Sequence, residues 1–168
     1  MLGIYEQFPL GLHSVESFNS KLPTKQLQQR LIRLFHAINN KEFTFEEIAN
    51  PAIPNGIIIF EFGIADNEGF NYINDEEAKK ALDLVIKENL RSLDFFCAIR
   101  YYRKDLTKKS PLKFDYYLLR TIFAKESFEI QVHHERGPRH ISPAELTQFI
   151  GKKANEGSRN IILKKQSQ

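Results

Sequence analysis

Apolar and polar residues alternate most regularly over residues 128–135. Phe128, Ile130, Val132 and His134 fall on one parity, and Glu129, Gln131, His133 and Glu135 on the other. A period of two puts the sets on opposite faces of a β-strand, the first toward a core and His133 toward water or a site. Arg136-Gly137-Pro138-Arg139 then ends the pattern with two turn formers. Ser142-Pro143-Ala144-Glu145 has the form of a capping box, with proline where a helix needs no backbone N–H. Leu146, Phe149, Ile150 and Ala154 follow at helical spacing, and Gly157 is a natural stop. Residues 128–150 thus read as a strand, a basic turn and a capped helix in succession.

The same reading carries along the chain. Residues 1–22 are aromatic and aliphatic without a clean period, which predicts an extended segment packed across the domain, with a short strand near residues 15–18. Leu27, Leu31, Leu34, Phe35 and Ile38 make a helical stripe over residues 23–39. Residues 41–56 read as a loop with one helical turn at 45–49. Residues 57–64 are almost continuously apolar, as in a strand buried on both faces at one end. Glu61 interrupts them and is expected to face water or to pair with an arginine such as Arg100 or Arg120. A turn at 65–69 leads to a returning strand at 70–73, and Asn74 caps a second helix whose first turn holds three acids. Residues 93–103 and 114–123 read as further strands, separated by a basic loop at 103–113 and followed by a short hairpin at 124–127. Residues 159–165 can add an edge strand. The sum is an α+β fold in one domain over residues 1–168. Its sheet is largely antiparallel, a meander of three strands plus a hairpin, with three helices packed on it.

Composition adds bounds. The 168 residues include 14 Phe and 6 Tyr within a 42% hydrophobic content, enough for a real core. No apolar run approaches the roughly 20 residues of a membrane span, and the start of the chain lacks the pattern of a signal peptide. The single cysteine, Cys97, allows no internal disulfide and lies in an apolar strand row, so the chain is expected to be a cytoplasmic protein. Charge is uneven. Residues 41–94 hold 5 basic and 12 acidic side chains, whereas residues 95–168 hold 15 and 7. Such asymmetry fits a surface for anionic partners, or two faces that attract each other.

The chemistry is sparse. The phosphate loop, the dinucleotide-binding glycine pattern, H-E-x-x-H and G-x-S-x-G are all absent. What stands out is the segment His133 to His140, with three His and two Arg beside a helix N-terminus. Guanidinium and imidazole groups there, aided by the helix dipole, predict an anion site built from Arg136, Arg139, His133 and His140. Arg100, Arg120 and Tyr102 are expected on the same open sheet face as His133, where cations hold phosphates and aromatics stack bases. The partners expected are therefore RNA or DNA, or a phosphorylated small molecule, with no membrane. The competing account is a solvated basic turn. Two other functions fit the same residues: a small-molecule enzyme with His133 or His134 as acid/base, and a non-catalytic homo-oligomer. No catalytic residue is assigned, and no cofactor or metal is expected, since His133 and Glu135 supply only two candidate ligands on one face.

Overall fold

The computed structural model describes residues 1–49, 52–105 and 108–166. Its elements in chain order are β1 (Ser14–Ser20), α1 (Thr24–Ile38), β2 (Glu42–Thr44), a 3-10 turn (Phe45–Glu47), β3 (Gly56–Asp66) and β4 (Gly69–Tyr72). They continue with α2 (Asp75–Lys87), β5 (Ser92–Lys104), β6 (Lys109–Ala124), β7 (Ser127–Arg136), α3 (Pro143–Asn155) and β8 (Leu163–Lys165). The strands form one eight-stranded sheet in the order β2-β3-β5-β6-β7-β1-β8, with β4 also on β3. Every pairing is antiparallel. The fold is α+β, and the meander β5-β6-β7 and the hairpin β3-β4 are both present.

Strand parity decides what meets the helices. Ile58, Phe60, Phe62 and Ile64 on β3, Phe95, Cys97, Ile99 and Tyr101 on β5, and Phe128, Ile130 and Val132 on β7 all enter one core. α1 contributes Leu27, Leu31, Ile32 and Phe35, and α3 contributes Leu146, Phe149, Ile150 and Ala154. Phe35 stacks on Phe62 at 4.2 Å, and Phe149 on Phe60 at 5.1 Å. The helix ends follow the sequence. Asn74 accepts from the Glu77 amide at 2.9 Å, and Ser142 and Glu145 exchange hydrogen bonds of 3.1 and 2.9 Å. Gln28 is fully buried within α1, and its amide donates to the Leu90 carbonyl at 2.8 Å, in the segment between α2 and β5.

Residues 103–104 and 109–113 are strand, not loop. β5 and β6 run on as a long hairpin, with Tyr102 paired to Pro111, Arg103 to Ser110 and Lys104 to Lys109. Beyond Tyr102 and Leu112 this arm is polar on both faces, so it has no period-two signal, yet backbone pairing carried from the buried sheet holds it extended. Residues 106 and 107 lie outside the described residues. β2 likewise has no counterpart in the sequence pattern. It is only three residues long, and Phe43 alone turns inward.

Among the described residues, no helix packs on the other face of the sheet. Residues 1–13 cross one end of it. Gly3 donates to the Ala65 carbonyl at 2.6 Å and accepts from the Asp94 amide at 2.7 Å, which inserts the chain between the diverging ends of β3 and β5. Phe8 lies under the Arg120 guanidinium at 4.4 Å, and the His13 amide donates to Val132 at 2.8 Å. Among the described residues no helix is long and apolar enough to cross a membrane.

Candidate functional site

The turn after β7 is organised around one buried carboxylate. Asp115 sits on β6 at the inward parity, fully buried. It accepts from the Tyr101 hydroxyl, from His134 Nε2 at 2.8 Å, and from the amides of Arg139 and His140 at 2.7 and 3.1 Å. Arg139 Nε donates to His134 Nδ1 at 3.1 Å, so the ring proton of His134 lies on Nε2, toward Asp115. The Tyr117 hydroxyl donates to the Ile141 carbonyl, and the Ile141 amide donates to the Tyr101 hydroxyl at 3.3 Å. Burial pushes the Tyr101 phenol far above its usual range, reinforced by its hydrogen bond to Asp115. Burial and then the Asp115 charge do the same to Tyr117. Both remain neutral donors. Burial likewise raises the Cys97 thiol well above its usual value, which leaves it an apolar filler.

This network accounts for much of the basic turn. The Arg139 and His140 amides, which could have cradled an anion, are spent on Asp115. His134 has both ring nitrogens engaged and a side chain only 7% exposed, leaving none for a substrate. The His140 ring packs edge-on against Tyr101 at 4.9 Å. Gly137 makes the close approach work. Its φ is +119°, and a Cβ there would meet Asp115 Oδ1 at 2.4 Å and the Phe114 carbonyl at 2.5 Å. Gly137→Ala is expected to destabilise the protein by on the order of 1–3 kcal/mol through backbone strain, before the clash is added. Chemical denaturation measures this, and an unchanged midpoint would refute it.

The remaining expected site residues separate. Arg120 makes a two-point pair with buried Asp94, at 2.8 and 2.9 Å, which raises its guanidinium pKa. Arg100 pairs with Glu61 at 3.0 Å and reaches Asn40 at 3.2 Å. His133 holds the Gly11 carbonyl at 2.6 Å through Nδ1 and faces Glu135 at 3.2 Å through Nε2. Among the described residues, no three His, Cys, Asp or Glu side chains converge on a position that could hold a metal ion.

His13 joins this edge. Its Nδ1 accepts from the His134 amide at 2.8 Å, and its ring lies 4.9 Å from His133. Lost hydration, then Arg139, His133 and His134, hold its pKa below the ordinary 6.5. The folded state therefore binds this proton less readily than the unfolded chain. The contribution to stability is complete above the unfolded value and is lost as pH falls through the folded one. Protection of the His134 amide, corrected for intrinsic exchange, is expected to fall between about pH 7.5 and about pH 5.5. It should lose that dependence in His13→Asn. Equal protection at both pH values in the wild type would contradict this.

Of the expected site residues, only Arg136 reaches the open face unencumbered. The β6-β7 register sets Arg136 opposite Tyr116, and its guanidinium lies 4.5 Å from the centre of that ring. Phe114 stands at a right angle to Tyr116 at 4.8 Å and is 43% exposed. With Lys113, Gly137 and Pro138 these residues line an open cavity of about 470 Å³. Tyr116 is held from behind by a row of rings: Phe96 at 5.3 Å, Phe70 a further 5.7 Å on, and Tyr5 4.8 Å beyond that. Among the described residues, neither Lys113 nor Arg136 forms an ion pair. A second cleft of about 500 Å³ lies between α1 and α3, but its cations are mostly committed. Arg30 donates to the Ala154 and Glu156 carbonyls, and Lys153 pairs with Glu156.

Arg136 is legible in the sequence. Lys113, Phe114 and the supporting Asp115 are not, although a carboxylate on the inward parity of an apolar strand is a signal that could have exposed Asp115. Comparison with protein-family models, with curated proteins and with solved structures finds no match to this chain.

Proposed function

We propose that this protein is a non-catalytic binder of anions that carry a planar ring, nucleotides being the simplest example, and that it acts in the cytoplasm. The observation that supports this most is the cavity at the β6-β7 end. An aromatic floor of Phe114 and Tyr116 is flanked there by two cations, Lys113 and Arg136, that form no ion pair among the described residues. The exposed Phe114 ring favours a stacked base, and the guanidinium favours phosphate through paired N–H donors. The internal use of His134 and of the turn amides is why a binding role is preferred to acid–base catalysis. The buried, unreactive Cys97 suits a reducing compartment.

The test is a chemical-shift titration with a nucleoside monophosphate, inorganic phosphate and the bare nucleoside. The monophosphate is expected to bind best and to move the Phe114, Tyr116 and Arg136 resonances. Arg136→Ala is expected to weaken it roughly tenfold or more, as losing a hydrogen bond to a charged group implies. No perturbation of these resonances at low salt would overturn the proposal.

A further inference from the structure

We infer that the ligand of this face is single-stranded nucleic acid, held across two aromatic stations on the same side of the sheet. The inference rests on the binding reading above and extends it. The first station is the cavity floor, Phe114 and Tyr116. The second is Tyr102 on β5, whose ring lies 5.0 Å from Lys109 Nζ and 5.9 Å from the Arg100 guanidinium. Phe96, Ala98, Arg100 and Tyr102 share the parity that faces away from the helices, so Tyr102 and Tyr116 look out from one surface.

The register sets their separation. Arg100 pairs with Phe114, and Tyr102 pairs with Pro111 across a bulge. Tyr102 therefore lies one parity step beyond Phe114 on the neighbouring strand, about 7 Å along and about 5 Å across. An unstacked strand can place successive bases at such a step, whereas a mononucleotide cannot reach both stations. Beyond Tyr102 the hairpin arm carries Arg103, Lys104, Lys108 and Lys109, all exposed, against one acid, Asp105. Lys104 shares the parity of Tyr102 and Lys109 lies over its ring, so this end of the surface adds to the positive charge of Arg136 and Lys113 and matches a phosphate backbone in sign.

Two acids lie beside the path. Glu61 pairs with Arg100, and Glu42 with Lys109 at 2.5 Å. Both pairs are part-exposed, and such pairs contribute little, so an incoming phosphate can exchange for either carboxylate. The rings need bases freed from pairing to stack on, and although the two-stranded arm is narrow enough for a major groove, binding a duplex there would leave those rings without a contact. This favours single strands over duplex.

The experiment is fluorescence anisotropy with labelled single-stranded and duplex oligonucleotides of about eight nucleotides, a length typical of sheet-based sites. A nucleoside monophosphate serves as competitor. The single strand is expected to bind at least tenfold tighter than the monophosphate, and tighter than the duplex. Tyr102→Ala is expected to weaken the single strand roughly tenfold, with no comparable loss for the monophosphate. Lys109→Gln, a surface change that spares the fold, should reduce the salt slope of log affinity by about 0.7. Monophosphate binding without any gain for the oligonucleotide, or equal affinity for duplex, overturns this inference alone. No binding of either overturns the binding reading as well.

Discussion

Asp115→Ala is expected to be the most damaging single substitution in the protein, costing on the order of 3–5 kcal/mol. The reason is the number of donors that would lose their acceptor together. The Tyr101 hydroxyl, His134 Nε2 and the amides of Arg139 and His140 all converge on this fully buried carboxylate. Each buried donor left unpaired costs about 1–3 kcal/mol unless it relaxes to water, and some relaxation is expected at the turn. Typical domains are stable by only about 5–15 kcal/mol, so the variant should be only marginally folded at best. Asp115→Asn keeps one acceptor oxygen but points an amide NH₂ at groups that are themselves donors, so an intermediate loss is expected. Urea denaturation of both variants checks the order. An Asp115→Ala midpoint near that of the wild type would refute the account of the turn. Ring proton chemical shifts of His134 give a second readout, because the Nε2 proton should lose its partner in Asp115→Ala.

Asp94→Ala is expected to have the next largest effect, about 2–3 kcal/mol. Asp94 is fully buried and accepts from Arg120 Nε and Nη2 and from the Tyr5 amide at 2.8 Å. The Arg120 side chain is 30% exposed, so water can replace part of what is lost, which places the effect below that of Asp115. The loss should also be local. Asp94 holds residues 1–13 through Tyr5 directly and through Arg120, which sits over the Phe8 ring. Hydrogen exchange should therefore quicken in residues 1–13 more than in β5 or β6. A double-mutant cycle with Arg120→Ala should show strong coupling, the double variant losing clearly less than the two singles together. Independent effects would mean that the pair does not anchor the segment.

These two carboxylates explain why the basic residues of this chain do not form a single anion site. Arg120 and Arg139 look available in the sequence because the carboxylates that organise their surroundings are not their chain neighbours. Their partners lie far away: Asp94 is 26 residues from Arg120, and Asp115 reaches the Arg139 amide across 24. The Glu61–Arg100 pair also joins distant strands, yet it is within reach of sequence reasoning, since a lone carboxylate in an apolar strand demands a cation. No comparable demand points to Asp94, which closes the serine-leucine-aspartate entry to β5 and looks like an ordinary strand start.

Local pattern determined the pieces. Helix caps at Asn74 and Ser142, the apolar stripes of α1 and α3, and the opposed faces of β5 and β7 follow from propensity and periodicity within a few residues. The same alternation assigns His133 and His134 to opposite faces of β7. Tertiary structure alone decided what those faces meet. The pairing of β6 with β7 set Tyr116 opposite Arg136, and the fold of the turn over Asp115 engaged the backbone amides of Arg139 and His140 and turned the Arg139 guanidinium onto His134. Periodicity is a property of one segment. Register and strand order instead minimise exposed apolar area and unpaired polar groups over the whole chain, so they cannot be read from any one part of it.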